Sequence, residues 1–553
     1  MPLAPKHFAN LGATQTVSRI VGFGSGLPEL LYTFPRMSEH HRSVLRSTST
    51  ISALTIVSRI FGYIRDRRIT YLLGTGDLGD AYSLAFRIPN ILRRLVGEGA
   101  ISAAFVPVFS EYLSEHKRKE GFEFVNAVLS AAIVFMSILV VVCVLGSSYI
   151  VAFFASGFPP EKLHTTMILN RIIFPYVGFV SLSAIAMGVL NSYGRFGASA
   201  CAPILLNISI ITLSYFSNFF SNPAVALSVG VVIGGVLQIL VQIPSLVKTG
   251  WRLRWLWDLG HPGVRRVAGL IGPRVFGIGI VQIDVLIGTQ FASYMAEGSV
   301  TSIGLADRVM ELVLGGYVIA LSTAVLPLLA RQAAADDMHD MKQTLCFAMR
   351  LALFVTLPAT VGLILLRRPI IEVLFQSGKF NAQSTSLTAW ALMFFAIGLS
   401  AFSMVKIVVQ AFYVLHDTWT PVVIGVGSIA INIICNFVFF PLLDNGGPAL
   451  ATSLAALFDT FALLLIFRLR YGSVGLRQVM RSSVKFAIAS TLMGVLTYAF
   501  IRIPGLYQGS WTQKAAALTG AILLATGAYL GAARLLRTRE LQEMGGVFGQ
   551  HSA

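Results

Sequence analysis

Long apolar stretches separated by short polar connections run through most of the chain. A helix that crosses a membrane needs about 20 predominantly apolar residues, and about fourteen stretches reach that length. We place them at 47–72, 79–110, 124–154, 166–190, 197–219, 224–247, 266–295, 300–330, 342–366, 385–413, 420–442, 447–468, 482–503 and 514–536. The pattern therefore predicts an all-α integral membrane protein with about 14 transmembrane helices.

The composition agrees with a membrane protein and changes how the charge is interpreted. Of the 553 residues, 55% are hydrophobic and 12% are charged, whereas soluble domains carry about 25% charged residues. The net charge of +17 would suit a nucleic-acid-binding protein, but the basic residues concentrate in connections on one side of the membrane, at 117–119, 248–266, 468–485 and 534–539. This positive-inside bias predicts that both termini are cytoplasmic and that no nucleic acid is bound. One connection, 367–384, departs from the bias with Arg367, Arg368 and Lys379.

The two halves of the chain resemble each other at a constant separation. Arg87 is matched 221 residues later by Arg308, and Pro107 is matched 220 residues later by Pro327. The same period joins Tyr193 to Tyr413. A shared period predicts two homologous six-helix lobes followed by an extra helix pair. Transporters built from such repeats place their substrate site between the halves, near the middle of the membrane.

The predicted organisation has five parts. They are an N-terminal extension at 1–41, a first lobe with helices 1–6 at 42–248, a second lobe with helices 7–12 at 262–470, a C-terminal helix pair at 481–537, and a cytoplasmic tail at 538–553. The first 36 residues lack the layout of a signal peptide, and Met37 precedes a polar lead-in to the first helix. We expect a disordered extension or a later start of translation, and the sequence does not decide whether residues 1–36 are translated.

Arginines interrupt the apolar stretches that flank this predicted interface. Each charge at the centre of a bilayer costs roughly 2.5–3.5 kcal/mol on insertion scales. A chain tolerates several such costs where the charges face a wet cavity and meet an anion. The arginines are Arg59, Arg65, Arg67, Arg68, Arg87, Arg93, Arg94 and Arg308. They predict a cavity that binds a phosphate-bearing or otherwise acidic substrate.

The first predicted helix carries the earliest of these charges. Arg59 and Asp66 are seven residues apart and share one face of a helix, so the acid is expected to offset the arginine when no substrate is bound. Arg67 and Arg68 have an equally good alternative, in which they extend to the lipid headgroups as a juxtamembrane basic cluster.

A second polar stretch runs from Asp80 to Gly99 and contains Pro89, which interrupts the helical hydrogen bonds. Asn90, Arg94 and Glu98 are spaced four residues apart and predict one polar stripe on a helix. Guanidinium groups suit phosphate because they are always charged and donate in a planar fork. A structural ion-pair network is the alternative. In the second half, Asp307 and Arg308 precede Glu311, and the repeat places Arg308 on the wall opposite Arg87.

Motifs for catalysis and for metal binding are lacking in the sequence. No Gly-x-x-x-x-Gly-Lys-[Ser/Thr] loop and no His-Glu-x-x-His pair occur, which argues against a built-in ATPase or a zinc enzyme. The four cysteines lie inside apolar segments without metal-ligand spacing and are interpreted as core residues: Cys143, Cys201, Cys346 and Cys435. We therefore expect no enzyme activity and no cofactor, and an ion gradient or the membrane potential as the energy source.

At these residues the chain resembles the MurJ (MviN) family of lipid II flippases, over roughly residues 42–540. The segments that carry the resemblance are Ser58–Asp66, Asp80–Pro107, Phe174–Tyr176, Leu190–Phe196, Leu205–Ile208, Ala306–Glu311 and Ala449–Ser453. The resemblance implies the fold of the multidrug/oligosaccharidyl-lipid/polysaccharide exporter superfamily, with a last helix pair that holds a lipid tail. It also implies a protein of the bacterial cytoplasmic membrane that flips lipid-linked peptidoglycan precursor outward, surrounded by membrane lipids and with cell-wall synthesis machinery as a candidate partner.

The resemblance also assigns roles to individual residues. Four arginines match cavity arginines that the family needs: Arg59, Arg65, Arg93 and Arg308. Six further residues match other polar cavity positions: Asp66, Asp80, Asn90, Arg94, Glu98 and Asp307. All ten are therefore candidate substrate-binding residues.

Relatives in this family also suggest a sodium site between the seventh, eleventh and twelfth helices, and the candidate ions are sodium or chloride. Asn432, Asn436 and Thr452 match part of that site, but Gly288 stands where an acid is expected and Asp284 lies one turn away. Hard cations prefer oxygen ligands that include a carboxylate. The alternative is hydrogen bonding of the asparagines between helices.

Two other classes of function stay open at this point. One is a flippase for another glycan linked to polyprenyl pyrophosphate, which would also need arginines, whereas an exporter of organic cations would need an acidic cavity. The other is an integral-membrane enzyme that acts on polyprenyl phosphates. The sequence does not identify the coupling ion, the oligomeric state, the regulation or the preferred precursor.

Overall fold

The computed structural model describes residues 39–95, 101–115, 117–541 and 543. Within these ranges the regular structure is helical, apart from one isolated bridge between Ser377 and Phe380. The first helix begins at Glu39, so most of the predicted N-terminal extension lies outside the described residues. From Thr50 onward the described residues form one compact unit, and the description below concerns that unit.

The first predicted lobe is built from short and long helices. In chain order they are α1 (Glu39–Leu73), α2 (Asp77–Leu92), α3 (Ser102–Ser114), α4 (Arg118–Leu145), α5 (Ser147–Phe154), α6 (Pro160–Ile173), α7 (Pro175–Ser192), α8 (Phe196–Tyr215), α9 (Pro223–Leu240) and α10 (Ile243–Val247). Prolines stand in the first turn of α6, α7 and α9, where a missing N–H costs no helical bond.

The remaining helices belong to the second predicted lobe and the C-terminal helix pair. They are α11 (Pro262–Ser293), α12 (Ser299–Val313), α13 (Ile319–Ala334), α14 (Met338–Phe375), α15 (Ala382–Val414), α16 (Trp419–Leu443), α17 (Gly446–Tyr471), α18 (Leu476–Ile501) and α19 (Trp511–Leu535). A π-helical turn, Leu314–Val318, joins α12 to α13. Ser510 and Gln513 cap α19 reciprocally, which satisfies N–H groups of its first turn.

Eleven helices, or runs of two helices, are long and apolar enough to cross a membrane among the described residues. The prediction of an all-α membrane protein is confirmed, while the count of fourteen spans stays a prediction. Within the predicted span 79–110, α2 ends at Leu92 and α3 begins at Ser102, and residues 96–100 between them lie outside the described part. Pro89 lies near the end of α2, and residues 93–95 form a wider π-helical turn. The ring of proline cannot continue the regular bonding of an α-helix.

Packing divides these helices into neighbourhoods. In the first lobe, α9 packs on α6, α7 and α8, while α7 also contacts α3 and α4. In the second lobe, α15 packs on α12, α14 and α17, and α16 packs on α17. The helix α11 contacts α3 and α4 as well as α12, α16 and α17. It therefore joins the two lobes along its length.

The C-terminal helices α18 and α19 are attached to α14 at both of its ends. Near Phe375, the Lys514 ammonium lies 2.6 Å from Glu372, and the Trp511 indole donates to the Val373 carbonyl. Near the other end, Arg350 pairs at 3.1 Å with Glu540, which is 1% exposed. The helix pair is therefore fixed to the second lobe.

Candidate functional site

A polar cavity of about 180 Å³ lies between α1, α2, α11 and α12. Its charged lining consists of four arginines and three carboxylates: Arg65, Arg87, Arg94, Arg308, Asp66, Asp307 and Glu311. The walls thus come from both lobes, as the repeat predicts for Arg87 and Arg308. The surplus of guanidinium groups suits an anionic ligand.

One carboxylate in this cavity bridges the two lobes. Asp66 on α1 accepts hydrogen bonds from Nε and Nη2 of Arg65, at 3.0 and 2.8 Å. It also pairs with Arg308 on α12. Nη1 of Arg65 donates to Asn207 on α8 at 2.8 Å. Asp66 therefore pairs with Arg65 and Arg308 rather than with Arg59, the partner that its helical spacing had suggested.

Other polar groups in the cavity have incomplete hydrogen bonding. Arg87 donates through Nη1 to the Thr289 hydroxyl on α11. The Tyr82 hydroxyl and the Gln282 carbonyl oxygen are buried in the lining without a hydrogen-bond partner among the described residues. Unsatisfied buried polar groups are rare and call for an explanation. A bound polar ligand would supply the missing partners.

On one side of the cavity the lobes are in direct contact. We call this region the closed end; it comprises residues 71–80, 156–162, 293–302 and 374–385. The carboxylate of Asp80, which is 1% exposed, accepts from the Gly298 and Thr301 N–H groups at 2.8 Å each and from the Thr301 hydroxyl at 2.9 Å. Lys162 donates to it at 2.8 Å. The start of α12 has no cap from its own side chains, so Asp80 of the first lobe provides that cap.

Further contacts complete the closed end. The Thr75 and Ser384 hydroxyls lie 2.7 Å apart, and the Asp77 N–H donates to Glu297 at 2.9 Å. Gly298 has a φ of 91°, and an added methyl group would collide with the Thr75 carbonyl oxygen. An apolar cluster with members from both lobes packs beside these bonds. The closed end is thus a closely packed interface in which these polar groups are hydrogen-bonded.

The other side of the cavity has a different kind of lobe contact. We call it the opposite end; it comprises residues 108–126, 249–266, 331–342 and 468–482. There the first turns of α11 pack on α3 and α4. Arg266 pairs with Glu111 through Nη2 at 3.0 Å, and both side chains are more than half exposed. At this end the lobes are therefore joined by apolar packing, which includes Val267 and Phe124, and by an exposed ion pair.

The structure places the ten candidate site residues in three positions. Six line the cavity: Arg65, Asp66, Asn90, Arg94, Asp307 and Arg308. Three lie elsewhere: Asp80 is at the closed end, Arg59 donates to the Gly315 carbonyl at 3.4 Å, and Arg93 donates to Asn90 at 2.9 Å. Glu98 lies outside the described residues. A substrate-binding role for any of them stays a prediction.

Sequence reasoning missed Lys162, Tyr82 and Gln282. Lys162 is 7% exposed and contacts both Asp77 and Asp80. A lysine near the start of an apolar helix is a weak signal for burial. For Tyr82 and Gln282, only the fold shows that they reach the cavity.

The candidate sodium ligands form their own network. Asn436 donates through Nδ2 to Oδ1 of Asn432 at 2.6 Å, and Asn432 donates to the Thr452 hydroxyl at 3.3 Å. Oδ1 of Asn436 is a buried acceptor without a partner among the described residues. The side chain of Asp284 lies outside the described part. These side chains bond to one another, and a sodium site at them stays a prediction.

Comparisons with known proteins agree with the fold. The sequence model of the family described as "Lipid II flippase MurJ" matches residues 69–519. The chain is 35% identical to "Lipid II flippase MurJ" of Burkholderia cenocepacia, over 77% of this chain and 84% of that protein. It is 32% identical to "Probable lipid II flippase MurJ" of Vibrio cholerae, over 90% of this chain and 97% of that protein.

Solved structures give the same result. A lipid II flippase MurJ in an inward closed conformation superposes with a TM-score of 0.74 at 25% identity, covering 88% of this chain and 99% of that one. An inward-facing multidrug transporter of the MOP superfamily superposes with a TM-score of 0.61 at 14% identity, covering 74% and 94%, and shows the fold alone. The extent of these matches and the arginine-lined cavity between two lobes lead to one conclusion: the chain belongs to the MurJ family of lipid II flippases.

Proposed function

We propose that this protein flips lipid II from the inner to the outer leaflet of the bacterial cytoplasmic membrane. The observation that carries the proposal is the arginine-lined cavity between two lobes in a chain of this family. Lipid II combines a pyrophosphate and a headgroup with carboxylates, which arginines can bind, with a polyprenyl tail that stays in lipid. The protein acts as a transporter, and no step of the proposed cycle forms or breaks a covalent bond.

Asp66 has a defined part in this proposal. It occupies Arg65 and Arg308 in the structure, and a pyrophosphate would compete with it for the same guanidinium groups. Competition of this kind limits the affinity for the substrate, and limited affinity favours release after transport. The internal acid thus supports turnover rather than tight binding.

The cycle that we propose is alternating access. The cavity of about 180 Å³ is smaller than the roughly 300–1,000 Å³ of drug-sized ligand sites, so the lobes must separate to admit a headgroup. An exposed ion pair contributes little to stability, so we expect opening at the opposite end, where such a pair joins the lobes, and sealing at the closed end, where Asp80 is buried. Membrane potential or an ion gradient, with sodium or chloride as the candidate ion, supplies the energy.

The positive-inside bias supports one orientation for this cycle. It places the opposite end and both termini in the cytoplasm and the closed end toward the outer leaflet. The headgroup then enters from the side on which the precursor is made. Enzymes that make or use lipid II are the candidate partners at the two faces.

The test is complementation in a bacterium whose own lipid II flippase can be shut off. The full chain is expected to restore growth, and Arg308→Ala is expected to abolish the rescue at normal membrane levels because it removes a cation from the cavity. The matched control is Arg331→Ala, at an exposed arginine on α13 of the same lobe, which should rescue as well as the unchanged chain.

Three outcomes would change the conclusion. Failure of the well-expressed unchanged chain would favour a flippase for another polyprenyl-linked glycan. Rescue by Arg308→Ala would retain the function but remove the cavity as its site. Loss of rescue with Arg331→Ala as well would point to a general requirement for positive charge.

A further inference from the structure

A second cavity lies in the second lobe, close to the closed end. It has a volume of about 300 Å³ and is lined by residues of α14, α15 and the connection between α16 and α17, among them Arg367, Arg368, Trp390, Asp444 and Asn445. None of its lining residues is shared with the cavity between the lobes. It is therefore a separate site.

The charges of this cavity are not paired with one another. Arg367 donates through Nη1 to the Ile364 carbonyl at 2.5 Å, and Arg368 is exposed. Among the described residues, neither arginine forms an ion pair, and Asp444 forms none either. Two adjacent guanidinium groups and one carboxylate thus face the same space with their charges available to a ligand.

The position along α14 places these arginines at the level of lipid headgroups. Arg350 and Arg367 are 17 residues apart, and no charged residue lies between them. A helix rises about 1.5 Å per residue, so the two arginines are separated by roughly 25 Å, close to the roughly 30 Å hydrocarbon thickness of a bilayer. Trp390 is 38% exposed at the same cavity, and tryptophan is enriched at membrane interfaces.

The frame of the cavity is fixed by hydrogen bonds. The Trp390 indole donates to the Leu443 carbonyl at 3.1 Å. The side chain of Asn445 is 1% exposed and donates to the Leu387 carbonyl at 2.8 Å. Between them, Asp444 has a φ of 47°, a conformation that costs energy for residues other than glycine. The connection is therefore held in one conformation that presents the carboxylate at the cavity.

We propose that this cavity binds the headgroup of a zwitterionic phospholipid, with the phosphate on Arg367 and Arg368 and the ammonium group on Asp444. The combination of two cations and one anion matches a headgroup that carries a phosphodiester and a primary amine. A wholly anionic headgroup would meet the unpaired Asp444. The volume of about 300 Å³ is at the lower limit of small-molecule sites, which suits a headgroup whose acyl chains remain in the bilayer.

The test uses the purified full chain in detergent micelles, with lipid binding measured by native mass spectrometry and by thermal stabilisation. The probes are short-chain phosphatidylethanolamine, phosphatidylglycerol and inorganic phosphate. Phosphatidylethanolamine is expected to bind and stabilise the protein. The Arg367→Gln/Arg368→Gln variant should bind it about tenfold more weakly or worse, because charge-assisted hydrogen bonds are lost. Asp444→Asn should abolish the preference for phosphatidylethanolamine over phosphatidylglycerol.

The matched control is Arg502→Gln, at an exposed arginine that follows α18; it should bind as the native protein does. Unchanged binding by the double variant would overturn the proposal. Equal stabilisation by inorganic phosphate alone would also overturn it, because the ligand would then be a free anion. If the double variant does not fold, Arg368→Gln alone decides the question, since that exposed side chain has no described partner to lose.

Discussion

Two aspartates, Asp66 and Asp80, join the lobes in different ways. Asp80 accepts three hydrogen bonds from uncharged groups of the second lobe and one from Lys162 of its own lobe. Asp66 pairs with Arg65 of its own helix and with Arg308 across the interface. The exposed fraction of the side chain is 2% for Asp80 and 12% for Asp66.

The two aspartates differ in whether their partners keep hydrogen-bond donors for a ligand. The oxygens of Asp80 are saturated by donors that cap α12, so the contact stabilises one arrangement of the lobes. The partners of Asp66 are guanidinium groups with five N–H donors each, and Arg308 is 41% exposed. These arginines retain N–H donors for a ligand, so a ligand can replace Asp66 as their partner. If the protein flips lipid II as proposed, Asp80 holds the closed end and Asp66 competes with the substrate.

The largest loss of stability is expected from Asp80→Ala. The substitution removes the cap of α12 and leaves Lys162 buried without its main partner, and breaking a buried pair in this way costs about 3–5 kcal/mol. We expect a lower thermal unfolding midpoint and a loss of complementation. Opening of the closed end can be measured by maleimide labelling of Ser384→Cys, at a buried position, in a background without the four native cysteines.

Asp77→Asn is the control for this variant, because Asp77 also pairs with Lys162 but its side chain is 63% exposed. It should change the unfolding midpoint and the labelling rate little. Equal effects of the two substitutions on the midpoint and the labelling rate would show that the buried cap of α12 stabilises the closed end no more than an exposed ion pair does.

A smaller effect is expected from Gly298→Ala. The left-handed φ and the contact with the Thr75 carbonyl leave no room for a methyl group, and such strain costs about 1–3 kcal/mol. The closed end should label faster at Ser384→Cys while the cavity residues stay unchanged. Gly362→Ala on α14, where an added methyl group meets nothing within 4 Å, should leave the labelling rate as it is; faster labelling there would remove the steric explanation.

In the cavity, Asp66→Asn is expected to strengthen binding of lipid II by about three- to tenfold, because Arg65 and Arg308 lose an internal competitor. The closed end should stay closed, so the labelling rate should not change. Affinity can be measured by thermophoresis of the purified protein with fluorescent lipid II. Asp307→Asn makes the same charge change in the same cavity without breaking an ion pair among the described residues. An equal gain in affinity in both variants would indicate that the loss of any negative charge in the cavity strengthens binding. Competition by Asp66 for the arginines would then not be the cause.

Much of the fold could be predicted because membrane helices satisfy their backbone groups internally and must be long and apolar. The stretch 420–442 corresponds to α16, Trp419–Leu443, and 385–413 corresponds to α15, Ala382–Val414. The π-helical turn at residues 93–95 could not be predicted, because hydropathy does not report local backbone geometry.

The site could be predicted in part, because an internal repeat and isolated charges mark it. Arg87 and Arg308 indicated a cavity with two walls, and both line it. The partner of Asp66 could not be predicted, since helical spacing favoured Arg59 and the fold supplied Arg308. Lys162 could not be linked to Asp80 either, because the two residues are 82 positions apart and meet only through the packing of α2 on α6.

The smallest effect is expected at the opposite end, from Glu111→Gln. Its pair with Arg266 is more than half exposed on both sides, and exposed ion pairs contribute about 0–1 kcal/mol. The substitution should change the thermal unfolding midpoint slightly, and added salt should remove the difference because it screens exposed charges.

A double-substitution cycle with Arg266→Gln isolates this pair from other effects of each change. The coupling between the two substitutions should fall below about 1 kcal/mol, well under the cost expected for Asp80→Ala. A coupling of several kcal/mol would mean that the opposite end is held as firmly as the closed end. The cavity would then have no preferred side on which to open. Asp80 would no longer explain why one end stays closed.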